Sequence, residues 1–310
     1  MGRTVTTERL LAEYRRNAAV PLAVERLSFD GVGDRDVYNP SGIFTDASGR
    51  ELLAGRVEER TSEWSKVVVF ERAGGVWQVV PDAAALDLQD PFVFHHAGTR
   101  YLGGVEITEV EGEGGTPVFA WRTVVMDHSD MSRPATAFTG PWGMKDLRFV
   151  DLADGRLGVF TRPQGSEDGR GRIGFTTVDS LAALTIDDVA AAPRLERLFV
   201  PEEWGGVNHA WLLDDGRLGV LGHIAAFDDD GARHYYPISF AFDPATSEVI
   251  DPRILFERRD LPDGPAKRAD LHDVIFPGWA DVAHDPQLVV CGASDAEVFA
   301  VGLPAGALVS

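Results

Sequence analysis

The sequence predicts an all-β protein, a five-bladed β-propeller with a short N-terminal helix. Three observations carry this. A strand–turn–strand unit with a polar entrance recurs five times along the 310 residues. The copies start roughly 50–65 residues apart, a little longer than the ~40–50 of common propeller blades. Their turns are built on Gly and Asp, which accept the backbone geometry of a tight turn. Five such units in one chain point to blades set radially round a channel. Their spread makes 1–310 a single domain, with 1–22 as a helical extension.

Taken in order, Thr7 to Ala19 reads as a helix, with Leu10, Leu11 and Tyr14 on one face, ended by Pro21. Ala23 to Phe29 is a strand without a hairpin partner nearby, the kind that joins the last blade and closes a ring. Blade one spans about Asn39 to Val80. Its strands are Val37–Phe44, Glu51–Val57, Lys66–Glu71 and Val76–Val80. Blade two spans Asp90 to Asp127. Phe92–Phe94 and Tyr101–Ile107 flank the turn His96–Thr99, and outer strands follow at Val118–Trp121 and Thr123–Met126. The acidic run Glu109 to Gly115 is a solvated connection. Asp90-Pro91 stands at this blade's entrance, where proline removes no ladder hydrogen bond. Blade three spans Lys145 to Thr177, with Arg172–Thr177 outermost, and a short helical or turn segment follows at Asp179–Leu184. Blade four spans Val207 to Ile250. Its loop Asp228–Gly231 lacks the spaced ligands and terminal Glu of a calcium-binding loop and reads as a hairpin turn. Blade five spans His272 to Leu303.

With 44% hydrophobic and 25% charged residues, the chain has the makings of a packed core rather than of a disordered segment. No apolar run approaches the ~18 residues of a membrane helix. The charged N-terminus lacks a signal-peptide core, so a cytoplasmic location is expected. Cys291 is the sole cysteine, which excludes an internal disulfide and a cysteine-based metal cluster. The net charge of −20 opposes nucleic acid and anionic membrane as partners. A local cationic pocket stays compatible with it.

In a propeller the innermost strands line the channel and their entrances converge on one rim. Here the entrances supply Asn39, Asp90, Lys145 with Asp146, Asn208 with His209, and His272 with Asp273. The far ends of the second strands add Arg56, Glu58, Glu106, Arg162, His223 and Asp295. Acids and cations around one funnel suit a ligand with many hydroxyls, a small oligosaccharide or glycoside. Some of these residues serve only as turn formers and blade-to-blade hydrogen bonds. Metal chemistry is disfavoured: His95-His96 is the only adjacent histidine pair, and neighbours on a strand face opposite ways.

The five entrances resemble those of the five-bladed propeller glycosidases, most of all the mannoside phosphorylases of glycoside hydrolase family 130. The similarity runs from roughly Asn39 to Val301 and extends to the family called domain of unknown function 1861. Its pieces are Asn39-Pro40 with Gly55-Arg56-Val57-Glu58 and Ser65; Gln89-Asp90-Pro91; Lys145-Asp146 with Thr161-Arg162-Pro163; Trp211 with Gly222-His223 and Tyr235; and Val274–Pro277 with Cys291–Asp295. The resemblance implies an enzyme of the inverting kind that cleaves a glycosidic bond, with Asp90 as general acid. It implies Asn39, Arg56 and Asp295 around the non-reducing sugar, and Arg162, His223 and Tyr235 around an attacking phosphate. A phosphate nucleophile needs cations and donors, whereas water needs a second carboxylate about 6.5–9.5 Å from the acid. No cofactor is implied beyond inorganic phosphate as an optional co-substrate. Three positions depart from the family pattern: Phe92 follows Asp90-Pro91, Lys145 stands where arginine is common, and Asn208-His209 precedes Trp211 where a lysine is usual. With Glu58, Glu106 and Asp273 as spare bases, the sequence tips slightly toward hydrolysis. A non-catalytic sugar-binding propeller is the alternative.

Overall fold

The computed structural model describes residues 4–17 and 21–309. Helix α1 (Thr7–Asn17) buries Leu10 and Tyr14; the end expected at Ala19 lies outside the described residues. The Tyr14 hydroxyl donates to Asp260 at 2.7 Å, and Arg15 lies 2.5 Å from Glu257. The helix is thus docked by its apolar face and pinned by polar bonds at its rim.

After α1 come β1 (Ala23–Arg26) and β2 (Phe29–Asp30). The first unit is β3 (Asp36–Tyr38), β4 (Ile43–Thr45), β5 (Glu51–Glu58), β6 (Ser65–Ala73) and β7 (Val76–Val79). The second is β8 (Gln89–His96), β9 (Thr99–Glu111), β10 (Pro117–Asp127) and β11 (Ala135–Thr139). The third is β12 (Arg148–Asp151), β13 (Leu157–Thr161) and β14 (Gly174–Val178), followed by α2 (Ile186–Ala190). The fourth is β15 (Trp204–Leu212), β16 (Leu218–Phe227), β17 (Arg233–Asp243) and β18 (Glu248–Ile254). The fifth is β19 (Asp273–Asp281), β20 (Gln287–Ala293) and β21 (Glu297–Leu303).

The protein is all-β, and each unit is an antiparallel meander. Hydrogen bonding nevertheless groups the strands into four sheets, because a short parallel pairing of β17 with β19 fuses the fourth and fifth units. The orphan strand at Ala23 acts as expected: β1 adds antiparallel to β21. The next strand, β2, pairs parallel with β7 of the first unit. One short segment therefore ties the last unit to the first.

Three expectations change. The strand expected over Val37–Phe44 is broken into β3 and β4, both paired with β5. Asn39 between them has a φ of +44°, which no strand tolerates. The two outer strands expected at Val118–Met126 form one strand, β10, and the true outer edge is β11, a short exposed run with little apolar signal. The strand expected over Ala23–Phe29 is broken into β1 and β2, which pair with different units.

The core lies between successive units. Phe70 and Leu53 of the first unit meet Val290 and Val298 of the fifth. Ala54 and Val67 meet Leu88 and Leu102 of the second. Phe94 stacks on Phe149 of the third, with centroids 4.6 Å apart. Phe160 and Phe175 pack on Phe242 of the fourth. Burying each such ring stabilises the fold by about 1.5–3 kcal/mol. The strands β4, β8, β12, β15 and β19 each place a residue (Ile43, Phe94, Asp151, His209 and Trp279) in the wall of one cavity of about 180 Å³. Five inner strands therefore surround a common space.

Candidate active site

The starts of these inner strands gather polar residues that ordinary strands avoid. Asn39, Asp90 and Asp146 adopt φ values of +44°, +48° and +62°, and Asp295, in the turn between β20 and β21, adopts +51°. Non-glycine residues occupy this region at a cost, and Asn and Asp tolerate it best. The distortion turns each side chain out of the strand's alternation. At Asp90 the β8–β9 register shifts between Gln89 and Phe92, and at Asn208 the β15–β16 register shifts between Val207 and His209. These bulges aim the residues at the rim. Glycine makes room: a Cβ on Gly292 would lie 2.3 Å from Asn39 Oδ1, and one on Gly206 would lie 2.9 Å from Arg162 Cδ.

On one side stands a carboxylate-rich cluster. Asp90 Oδ1 accepts from Asn39 Nδ2 at 2.8 Å and from Arg56 Nη1 at 3.2 Å. Arg56 also donates to Glu58 Oε2, at 3.0 Å from Nε and 2.6 Å from Nη2. The other Glu58 oxygen binds the ammonium of Lys267, which lies 3.2 Å from Glu63. Arg56 sits over the Tyr38 ring at 4.9 Å. Burial alone would raise the Asp90 pKa, but Arg56, Lys145 and the Asn39 amide outweigh it and hold the carboxyl below its ordinary range. Asp295 has the opposite fate. Burial, with the repulsion of Asp90 and Glu58, raises it above the ordinary range despite Arg56 and Lys267. Two carboxyls that share Arg56 are thus driven apart in proton affinity.

On the other side stand the cations. Arg162 is buried, with Nη1 3.0 Å from Asp146 Oδ2, Nε donating to Gly205 O at 2.8 Å and Nη2 to Arg170 O at 3.2 Å. Burial pushes Asp146 up, yet Arg162 and Lys145 bring it down to about 2. His223 Nδ1 lies 2.8 Å from Asn208 Oδ1, and its ring stacks on Tyr235. Burial and the neighbouring Arg162 lower His223 to about 3, so the imidazole is neutral. Tyr235 accepts from Trp204 Nε1 at 2.9 Å. Beside these lies a cavity of about 490 Å³ lined by Lys145, Arg162, Arg170, Trp121, Trp204 and Tyr235 among others, with no Asp or Glu in its wall. Asn39 Oδ1, Tyr38 Oη, Asp146 Oδ1 and Asn208 Nδ2 are buried without a partner. Buried polar groups are normally satisfied, so these four can each form a hydrogen bond with a bound ligand.

Of the residues singled out in the sequence, Asn39, Arg56, Glu58, Asp90 and Asp295 come together in the first cluster. Lys145, Asp146, Arg162, Asn208, His223 and Tyr235 come together in the second. Three do not join. Glu106 is paired with Arg122 at 2.5 Å. Asp273 accepts from Tyr236 at 2.8 Å and lies 2.6 Å from His234, tying the fourth unit to the fifth. His209 lies further along β15 against Trp279, its pKa lowered to about 3 by burial and by Arg148. Sequence reading missed Lys267, Arg148 and Arg170. Arg148 is buried between the second and fourth units, 4.2 Å over Phe92, and donates to Asn208 O at 2.9 Å. The rarity of lysine was the one signal for Lys267; Arg148 and Arg170 are two arginines among many. Among the described residues, no group of three or more His, Cys, Asp or Glu is arranged to hold a metal ion. Nor is any helix long and apolar enough to cross a membrane.

A family model described as "Protein of unknown function (DUF1861)" matches residues 13–304. No curated protein matches the chain. Among solved structures, a mannose phosphorylase from Leishmania mexicana in complex with phosphate ion is 28% identical with a TM-score of 0.86, covering 98% of this chain and 96% of that one. A GDP-Man-dependent mannosyltransferase from Leishmania mexicana is also 28% identical, with a TM-score of 0.85 and coverage of 96% and 95%. A β-1,2-mannobiose phosphorylase from Listeria innocua shares the fold at 14% identity, with a TM-score of 0.59 and coverage of 93% and 95%.

Proposed function

The chain belongs to the DUF1861 family, and from that premise we propose that it is a carbohydrate-active enzyme, a phosphorylase of mannosides. The five meanders are read as the five blades of a one-domain propeller, with the reaction at the rim of its channel. The sugar to be transferred lies against Asn39, Arg56, Asp90 and Asp295. Inorganic phosphate enters from the side of Lys145, Arg162, His223 and Tyr235 and attacks the anomeric carbon. The glycosidic oxygen leaves with a proton supplied through Asp90.

One observation carries the choice of phosphate over water. The three carboxylates that favoured hydrolysis are each already engaged: Glu58 by Arg56 and Lys267, Glu106 by Arg122, Asp273 by His234 and Tyr236. The cavity opposite is walled by cations and no acid. That arrangement stabilises an anionic nucleophile and offers no base to activate water. This reverses the slight preference for hydrolysis read from the sequence. Asp90 is ionised in the free protein, so its role as an acid depends on the sugar. Covering the carboxyl with a neutral ring removes its remaining water and raises its pKa.

A second reading has its own support. The cavity is larger than one tetrahedral anion fills, two tryptophans stand in its wall, and one similar structure is a GDP-Man-dependent mannosyltransferase. A sugar–nucleotide diphosphate fits the same chemistry as donor. The test is the rate on β-1,2-mannobiose and related mannosides against phosphate concentration, with products separated by chromatography. A rate that saturates with phosphate and yields a sugar 1-phosphate supports phosphorolysis. Free mannose at a phosphate-independent rate overturns it, and GDP release from GDP-mannose moves the assignment to transfer.

A further inference from the structure

We propose that the cavity between the first and second units binds a neutral glycan chain continuing from the sugar at Asp90. This rests on the reading of the rim as a mannoside site, and it makes the enzyme one for oligosaccharides rather than for disaccharides alone.

The cavity is separate from the cationic one and holds about 450 Å³. Its most telling residue is Trp64, which is 55% exposed. Leaving an indole in water forgoes burial that the core supplies to most tryptophans. Yet Trp64 is not loose. Phe119 of β10 braces it edge-on, with centroids 5.5 Å apart and planes at 82°, and its backbone N–H donates to Ser62 Oγ at 2.9 Å. An exposed, braced aromatic face is what the C–H face of a sugar ring stacks on.

The position follows from the bonds on either side. Glu63, the residue before Trp64, accepts through its carbonyl from Gln89 Nε2 at 2.8 Å, and Gln89 precedes Asp90. The Glu63 carboxylate lies 3.2 Å from Lys267, which also holds Glu58. Glu58 therefore forms part of the cavity wall and, through Arg56, connects to Asp90. A chain leaving the Asp90 cluster on this side meets Trp64 next.

Charge decides what kind of chain. Glu58, Glu59, Asp87 and Glu106 line the cavity against Arg35 and Lys66. Glu58, Asp87 and Glu106 are already paired, with Arg56 and Lys267, with Lys66 and with Arg122, so the wall has little surplus positive charge to hold an anionic chain and offers carboxylate acceptors to neutral hydroxyls. The contrast with the acid-free wall of the other cavity gives the two openings different ligands: an anion on one side, a neutral glycan on the other.

The test uses β-1,2-linked manno-oligosaccharides of increasing length, from the disaccharide upward, titrated calorimetrically into the Asp90→Asn protein, with and without Trp64→Ala. The readout is the ratio of affinity for the longest chain to that for the disaccharide. The expected ratio is about tenfold, which corresponds to about 1.4 kcal/mol, and it collapses toward one in the Trp64→Ala background. Trp64→Phe, which keeps an aromatic face, restores part of it and separates stacking from misfolding. A ratio near one with Trp64 present, or a ratio that survives Trp64→Ala, overturns the proposal. Phosphate-dependent turnover of the disaccharide by the unaltered protein, without any length gain, sinks the glycan cavity and spares the phosphorylase reading. A length gain through Trp64 without turnover does the reverse.

Discussion

The two sides of the rim use the same residue types to opposite ends. On the side of the first, second and fifth units, every cation in contact is already committed: Arg56 to Glu58 and Asp90, Lys267 to Glu58 and Glu63. On the side of the third and fourth units only Arg162 is paired, with Asp146, while Lys145 and Arg170 form no ion pair among the described residues. The difference teaches where charge is surplus. A saturated network presents fixed dipoles and two carboxylates on strained backbone, Asp90 and Asp295, which suits hydroxyls. An unsaturated one presents net positive charge, which suits an anion, and it does so within a chain of net charge −20.

The sharpest way to break this comparison is Asp90→Asn. It keeps the shape and a partner for Asn39 but removes the proton donor, so kcat is expected to fall by about 10²–10⁴. Full turnover in this variant would move the acid elsewhere, with Asp295 the first candidate. If Asp90 is the acid, activity is lost as pH rises through its pKa. The alkaline limb of the kcat profile should then lie at higher pH than that of kcat/KM, because bound sugar raises a carboxyl that the free protein holds low.

Next in size is Arg162→Ala. It strands the buried Asp146 carboxylate, which is expected to cost about 3–5 kcal/mol in stability by denaturant melt. Phosphate dependence should go with it. Arg162→Lys restores the charge without the fork that holds Gly205 and Arg170 carbonyls, and should recover less than half of the stability lost. A smaller effect belongs to Arg170→Ala, whose side chain leans on Trp204 and Phe227 and pairs with no carboxylate among the described residues. Its loss should raise the KM for phosphate about tenfold, worth about 1.4 kcal/mol, with little change in melting temperature. An unchanged KM would confine the anion site to Arg162, Lys145 and His223.

The mildest test is pH. Burial lowers His128 to about 4 and His209 and His223 to about 3, with Arg100, Arg148 and Arg162 respectively adding to it. Below the ordinary histidine value the unfolded chain takes up protons that the native one refuses. Stability present above that value is therefore lost as pH falls toward 4. Calorimetric melting temperature should decline over this range, less so in His128→Gln. A flat profile would mean that water reaches these rings. Asp146 extends the loss: its stabilisation is present above the ordinary carboxylate value and disappears as pH falls through about 2.

Much of the molecule was legible in the chain itself. Alternating apolar runs with Gly and Asp turns located all five meanders, and the orphan strand at Ala23 announced its pairing with the last one. Strand ends and outer edges were less legible. Val37–Phe44 reads as continuous because periodicity does not see a positive φ, and β11 is missed because an exposed edge carries little apolar pattern. Of the strand-entrance residues read from the sequence, Asn39, Asp90, Lys145, Asp146 and Asn208 lie in the two clusters. Nothing in the alternation distinguished those that reach the rim from Glu106, Asp273 and His209, which are spent on Arg122, on His234 with Tyr236, and on packing against Trp279.

The sequence by itself determined the residue inventory, the repeat and the family. Tertiary structure decided which charges remain free. Whether a carboxylate can serve as a base depends on the cations within a few ångströms, and those come from distant parts of the chain: Lys267 reaches Glu58 across 209 positions. Pairing strength falls with distance in space and is blind to distance along the chain. Composition therefore gives a strongly acidic protein, and only folding separates a saturated acidic rim from an open cationic one.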